Sequence, residues 1–217
     1  MSFNEYITIL FPEAFIQTLY MIFVPTIIAT FLGFIIAIIL VLTKEDGLKP
    51  NKNVNRILGL IVNIVRSFPF MILIVAMIPI TRLIVGTSIG DTAAIVPITI
   101  GSAPFIARLI ESALNEVDKG LIEAAKSFGA TDRQIIFKVM IKEATPSIIT
   151  GITLAIITIL GYTAMAGAVG AGGLGNVALM YGHQQFDANV MIFTVIALVI
   201  LVQVIQGIGD YLYKKLK

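Results

Sequence analysis

The sequence predicts an all-α fold embedded in a membrane, and three observations carry that prediction. Leu, Ile, Val, Met, Phe and Ala recur in runs longer than a globular core helix needs. The mean hydropathy is +0.98. Only 13% of residues are charged, against about 25% in a soluble domain. A bilayer core of about 30 Å needs about 20 apolar residues in a helix, and that ruler finds five segments, near 15–42, 57–80, 92–110, 147–166 and 189–209, in one transmembrane domain over 1–217.

The opening MSFNEYITILFPEAF has no positive n-region and no small-residue cleavage site, so the first apolar run reads as a retained span rather than a signal peptide. Arg66, in VRSFPF, is placed near the inner end of the second span. A long cation can snorkel to the headgroups there; the alternative is an inner gate or a subunit contact. The third span, TAAIVPITIGSAPFIARLI, is interrupted by Pro97, Gly101 and Pro104. Such breaks are tolerated where neighbours or a cavity satisfy the freed carbonyls, so this helix either bends to line a pathway or is kinked for packing. Tyr162 and Met165 lie on the fourth span beside small residues, where they face a pathway or pack.

Small residues from Gly161 to Gly175 permit close helix contacts or a bend at the outer mouth of the fourth span. The GAGGLG at 170–175 has dinucleotide-motif spacing, but it follows an apolar span and not a strand, so no cofactor is expected. His183 is the single histidine and the chain has no Cys, which excludes disulfides, thiolate chemistry and the usual metal-ligand clusters. A solvated loop position suits His183, and Asp187 is placed to cap the fifth span.

Orientation is read from Lys and Arg, which are disfavoured in translocated connections. Lys44, Lys49, Lys52 and Arg56 follow span one, Lys119, Lys126, Arg133, Lys138 and Lys142 follow span three, and Lys214, Lys215 and Lys217 close the chain. The first fourteen residues and the connection after span four have none. The expected arrangement puts the N-terminus outside and the C-terminus in the cytoplasm of a multi-pass cell-membrane protein. The net charge of +2 needs no nucleic-acid partner.

The charged stretch 118–142 then lies in the cytoplasm. Asp118 is placed to cap a helix through Phe128, and Gly129 fits a left-handed C-cap. Thr131–Asp132–Arg133–Gln134 has a capping-box pattern opening a second short helix with Ile135, Ile136, Val139 and Met140 on one side. Each piece is about 10 residues, roughly 15 Å, too short to span. Leu121, Ile122, Ala125 and Phe128 give the first helix an apolar stripe. Either the stripes pack on the chain's own span ends or at the lipid interface, or they dock in a groove of a separate protein.

The segment EAAKSFGATDRQIIFKVMIK resembles the EAA loop of ABC importer permeases: Glu-Ala-Ala, three residues, Gly, nine residues, Ile, one residue, Leu-Pro. Glu123, Ala124, Ala125 and Gly129 match, Val139 and Ile141 are conservative substitutes, and Lys142 stands where the family has Pro. NIVRSFPFMILIVAMIPITRLIVGTSIG, AAIVPITIGSAPFIAR and GYTAMAGAVGAGGLG are similar to the methionine (D-methionine) permeases of that family. The resemblance implies a type I ABC importer permease fold with cytoplasmic coupling helices, and a homodimer with its pathway between the copies. It also implies two ATPase subunits that use ATP and magnesium, and an extracytoplasmic methionine-binding protein. Leu121, Glu123, Ala124, Ala125, Phe128, Gly129, Ile135 and Ile136 are the coupling residues it implies. The chain has no Gly-x4-Gly-Lys-Ser/Thr phosphate loop, so it is not expected to hydrolyse ATP itself. Spans one, four and five lack ionisable groups in their centres, which argues against an ion-coupled transporter. A polar amino-acid importer is the first alternative, and a passive channel or structural membrane subunit is the second.

Overall fold

The structure, a computed structural model, describes residues 5–217. The expectation that the N-terminus lies outside the cell rests partly on residues 1–4, which lie outside the described residues. All regular elements among those described are helical. They are α1 (Tyr6–Thr43), α2 (Lys52–Ser67), α3 (Phe70–Ala76), α4 (Ile78–Val85), α5 (Asp91–Asn115), α6 (Lys119–Ser127), α7 (Asp132–Gly167), α8 (Gly173–Val177, continued by π-helical turns over Ala178–Gln184) and α9 (Ala188–Leu216).

Four helices, α1, α5, α7 and α9, are long and apolar enough to cross a membrane. They contain the segments expected over 15–42, 92–110, 147–166 and 189–209. The segment expected over 57–80 is not one continuous helix, and it counts as a fifth span only as a bent pair. It divides into α2, α3 and α4, with a 101° bend between α2 and α3. Pro69 causes the break: it has no N–H to donate, and its ring pushes the preceding residue out of helical geometry. Phe68 is accordingly extended, at φ −74 and ψ 127. The FPF sequence is apolar, so hydropathy alone passes over the corner.

α5 is the centre of the bundle, with 67% of its most apolar window buried. It packs along α1 through small residues, with Gly33 against the Ala103 and Ala107 backbone and buried Ala29 and Ala37 a turn or two to either side, and onto α7 through Ile106, Ile110 and Ile148. Despite Pro97 and Pro104 it remains one 25-residue helix with both prolines buried. By contrast α9 is 11% buried over its window, and Ile192, Val195, Ile196, Val199 and Ile200 are exposed. That surface suits lipid tails, which solvate apolar side chains at no cost.

The small residues at the end of the fourth span do pack closely. A Cβ on Gly175 would overlap Ala164 in α7, and one on Gly167 would meet the Asn176 backbone. α7 and α8 touch backbone to backbone because neither position has a side chain. Helices α1, α5 and α9 end, and α2, α6 and α7 begin, at the end carrying Lys44, Lys119 and Lys214, which is the basic end of the bundle.

Candidate coupling loop and membrane-depth recess

The loop at the basic end is built by three local devices. Asp118 caps α6 by accepting a hydrogen bond from the Gly120 N–H at 2.7 Å. At the far end Gly129 adopts φ 78, its N–H bonds the Lys126 carbonyl at 2.9 Å, and the Ala130 N–H bonds the Ala125 carbonyl at 3.0 Å. That pair of bonds closes the last turn of a helix and needs a left-handed residue, for which glycine has no steric cost. Thr131 and Gln134 then form both halves of a capping box.

Beyond the capping box the fold differs from expectation. The second short helix does not end near Lys142 but is the first part of α7, continuous over 36 residues. Lys142 keeps the backbone N–H that a proline would lack, and the helix runs through π-helical turns over Ile135–Met140 without a break. The candidate coupling loop is therefore one short helix, α6, joined by a tight turn to the start of a long apolar helix.

The apolar stripes divide between two tasks. Ile122 and Ala125 are half-buried and pack on the chain's own core. Leu121 is 44% and Phe128 91% exposed, and Glu123 and Ala124 are exposed beside them. Ile135 and Ile136, expected to face a partner, are 0% and 7% exposed. They seat the start of α7 inside the chain, because Ile122 and Ala125 cover that side, and cannot touch a docked protein directly.

Charged contacts steady α6 from the turn after α1. Asp46 accepts from Lys119 at 2.7 Å and pairs with Lys44 at 3.1 Å, while Lys49 lies 3.7 Å from Asp132. The hydrogen bond from Lys119, then that from Lys44, holds the Asp46 carboxyl at about 2, and Asp46 in turn raises Lys119. These groups are exposed, so the contacts orient more than they stabilise. In the sequence the lysines read as topology signals only, and no local pattern pairs residues 73 positions apart. Between this turn and α6 is a cavity of about 120 Å³ with apolar walls, including Leu42, Leu48, Leu114, Ile122 and Met140.

The expected pathway residues are partly brought together. Arg66 and Tyr162 line one recess of about 130 Å³ with Phe68, Phe70, Gly101 and Phe105. The Tyr162 and Phe70 rings stack at 4.1 Å and 8°. Met165, 43% exposed, lies one turn beyond Tyr162. Pro97 lines a different recess with Ile74 and Val169, and Pro104 is buried in the chain. The placement of Arg66 near the inner end of a span is corrected. Its neighbour Gly101 is near the middle of α5, and Tyr162 is close to the end of α7 opposite the basic end.

Residues 29–217 match the family described as the binding-protein-dependent transport system inner membrane component, and the chain belongs to it. Within that family it is similar to methionine permeases. It is 54% identical to the probable D-methionine transport system permease protein MetI of Vibrio cholerae serotype O1, over 92% of this chain and 88% of that one. It is 51% identical to the methionine import system permease protein MetP of Bacillus subtilis, over 79% and 78%. Among solved structures, it matches a chain of the MetNI methionine ABC transporter in an inward-facing conformation over the full length of both, at TM-score 0.96 and 45% identity. A chain of an amino acid ABC transporter matches at TM-score 0.80 and 20% identity, a likeness of fold alone.

Proposed function

We propose that the chain is the membrane-spanning permease subunit of an ATP-driven importer that carries methionine into the cell. The observation that carries this reading is similarity to methionine permeases over nearly the whole chain, with the coupling loop folded and its outer face open. In this reading two copies form a two-fold dimer with the pathway between them. The loop 118–142 faces the cytoplasm, with the N-terminus outside. Two ATPase subunits bind ATP and magnesium, and this chain binds neither. An extracytoplasmic binding protein delivers the amino acid to the opposite face.

The chain's own part is mechanical. Phe128 and Leu121 offer apolar anchors for a groove. The capped turn makes α6 and the start of α7 move together, and α7 is one helix from Asp132 past Tyr162, about 45 Å at 1.5 Å per residue. ATPase closure would thus reach the Arg66 recess as a shift of a rigid element. A passive channel or structural subunit has no use for a projecting loop with a 91% exposed Phe128. Co-purification from the native membrane tests this: an ATPase retained on the solubilised permease, and hydrolysing ATP, is expected. Its absence under conditions that preserve the permease dimer would favour the channel reading.

A further inference from the structure

Arg66 is a charge that neither the coupling loop nor the orientation uses. Counts along the helices place it about 21 Å from the basic end of the bundle. It is fourteen residues beyond the start of α2 at Lys52, about 21 Å along that helix. Gly101, which lines the same recess, is fourteen residues before the end of α5 at Asn115, again about 21 Å. Tyr162 is fifteen residues beyond Ser147, whose hydroxyl donates to Glu116 at 3.3 Å, which gives about 22 Å. A hydrocarbon core is about 30 Å thick, so the recess is well inside it.

Among the described residues the guanidinium there has no anionic partner. The ion pairs among the described residues involve Lys44, Lys49, Arg108 and Lys119, and Arg66 is in none. It is also exposed on the single chain. A cation at this depth facing lipid is costly, and such groups face a water-filled cavity or a pairing anion. The recess has that character: an arginine at its mouth and a wall of stacked Phe70 and Tyr162. The last turn of α2 ends there too, and its carbonyl end carries partial negative charge.

We propose that Arg66 is the anchor for the α-carboxylate of the transported amino acid, in a transient site walled by Phe70 and Tyr162. This rests on the permease reading above and adds where and by what chemistry the cargo is held. The guanidinium binds the carboxylate through two parallel hydrogen bonds, the end of α2 favours the ammonium, and a thioether packs against the rings, a contact sulfur favours. Holding is transient because the recess is open on one side. A passage needs a site that also releases.

The test uses the assembled permease, ATPase and binding protein. The chain has no Cys, so Phe105→Cys puts a single reactive thiol on the permease, at the recess. Thiol labelling of the permease is measured against rising L-methionine or methioninol, which has a hydroxymethyl group in place of the carboxylate. Methionine is expected to half-protect at a concentration about ten- to a hundredfold lower. Adding Arg66→Met should erase that difference, and Arg66→Lys should keep part of it, retaining charge without the bidentate fork. Equal protection by both compounds, or a difference that survives Arg66→Met in a complex that still assembles, overturns the proposal. So does absence of protection in a preparation that imports methionine. If the preparation imports a different amino acid and not methionine, the cargo reading falls; that amino acid and its alcohol then test the anchor by the same comparison.

Discussion

Replacing Gly129 by valine separates the path of the coupling loop from the stability of the bundle. Gly129 has φ 78, and a Cβ built there meets nothing within 4 Å. The cost is therefore backbone strain alone, about 1–2 kcal/mol for a left-handed residue with a side chain. At 1.4 kcal/mol per factor of ten, that is roughly a five- to thirtyfold bias against the seated turn. The start of α7 resists it, since Ile135, Ile136 and Met140 are buried and each contributes about 1.5–3 kcal/mol. Helix α6 has no buried residue, so it is the part that swings. Gly129→Val should leave the permease inserted and dimeric while lowering its affinity for the ATPase subunit about tenfold and abolishing ATP-driven uptake. Gly86→Val is the matched control, with φ 85 and open space around the Cβ but at the opposite end. Wild-type ATPase affinity in Gly129→Val, or an equal loss in Gly86→Val, would refute the reasoning.

Three further outcomes are expected. Gly175→Ala drives a methyl into Ala164; overpacking of about 1–3 kcal/mol should lower the Tm in detergent by about 3–10 °C, whereas Gly161→Ala, with nothing within 4 Å, should not. Asp46→Asn should speed amide exchange over 119–127 with little change in Tm. Because the Asp46 carboxyl is held down at about 2, its contribution is complete above the ordinary carboxylate value near 4 and fades as pH falls from about 4 to about 2. Exchange in the wild type should thus be steady from about pH 5 upward after correction for intrinsic rates, and a rate unchanged by Asp46→Asn would show the clamp to be idle. Finally, Gln184→Cys should react with an impermeant thiol reagent from outside and Ser127→Cys only from inside; the reverse pattern would overturn the orientation.

The legible parts of the molecule are those whose cause lies within a few residues. Asp118, Gly129, the Thr131–Gln134 box and the Asp187 cap each act on a backbone group two to four positions away, and all four occur as read. Long apolar runs gave α1, α5, α7 and α9 because hydropathy is summed over many residues. It is blind to continuity, so the corner at Pro69 is hidden within an unbroken apolar stretch, and the depth of Arg66 is misread with it. Conversely, a charged segment suggests the end of a helix that α7 carries straight through. The division of Ile122 and Ala125 from Leu121 and Phe128 depends on which neighbour covers each face. The Asp46–Lys119 pair depends on two turns meeting at the basic end. Neither leaves a mark in the local sequence.

In the proposed role this chain passes methionine across a membrane when an ATPase drives it. The direct measurement is uptake of radiolabelled methionine into vesicles holding permease, ATPase and binding protein, with and without ATP and with glutamine and histidine as competitors. Accumulation should require ATP, be lost in Gly129→Val, and be displaced by unlabelled methionine but not by the two polar amino acids. Uptake indifferent to ATP, or equal transport of glutamine or histidine, would contradict the claim.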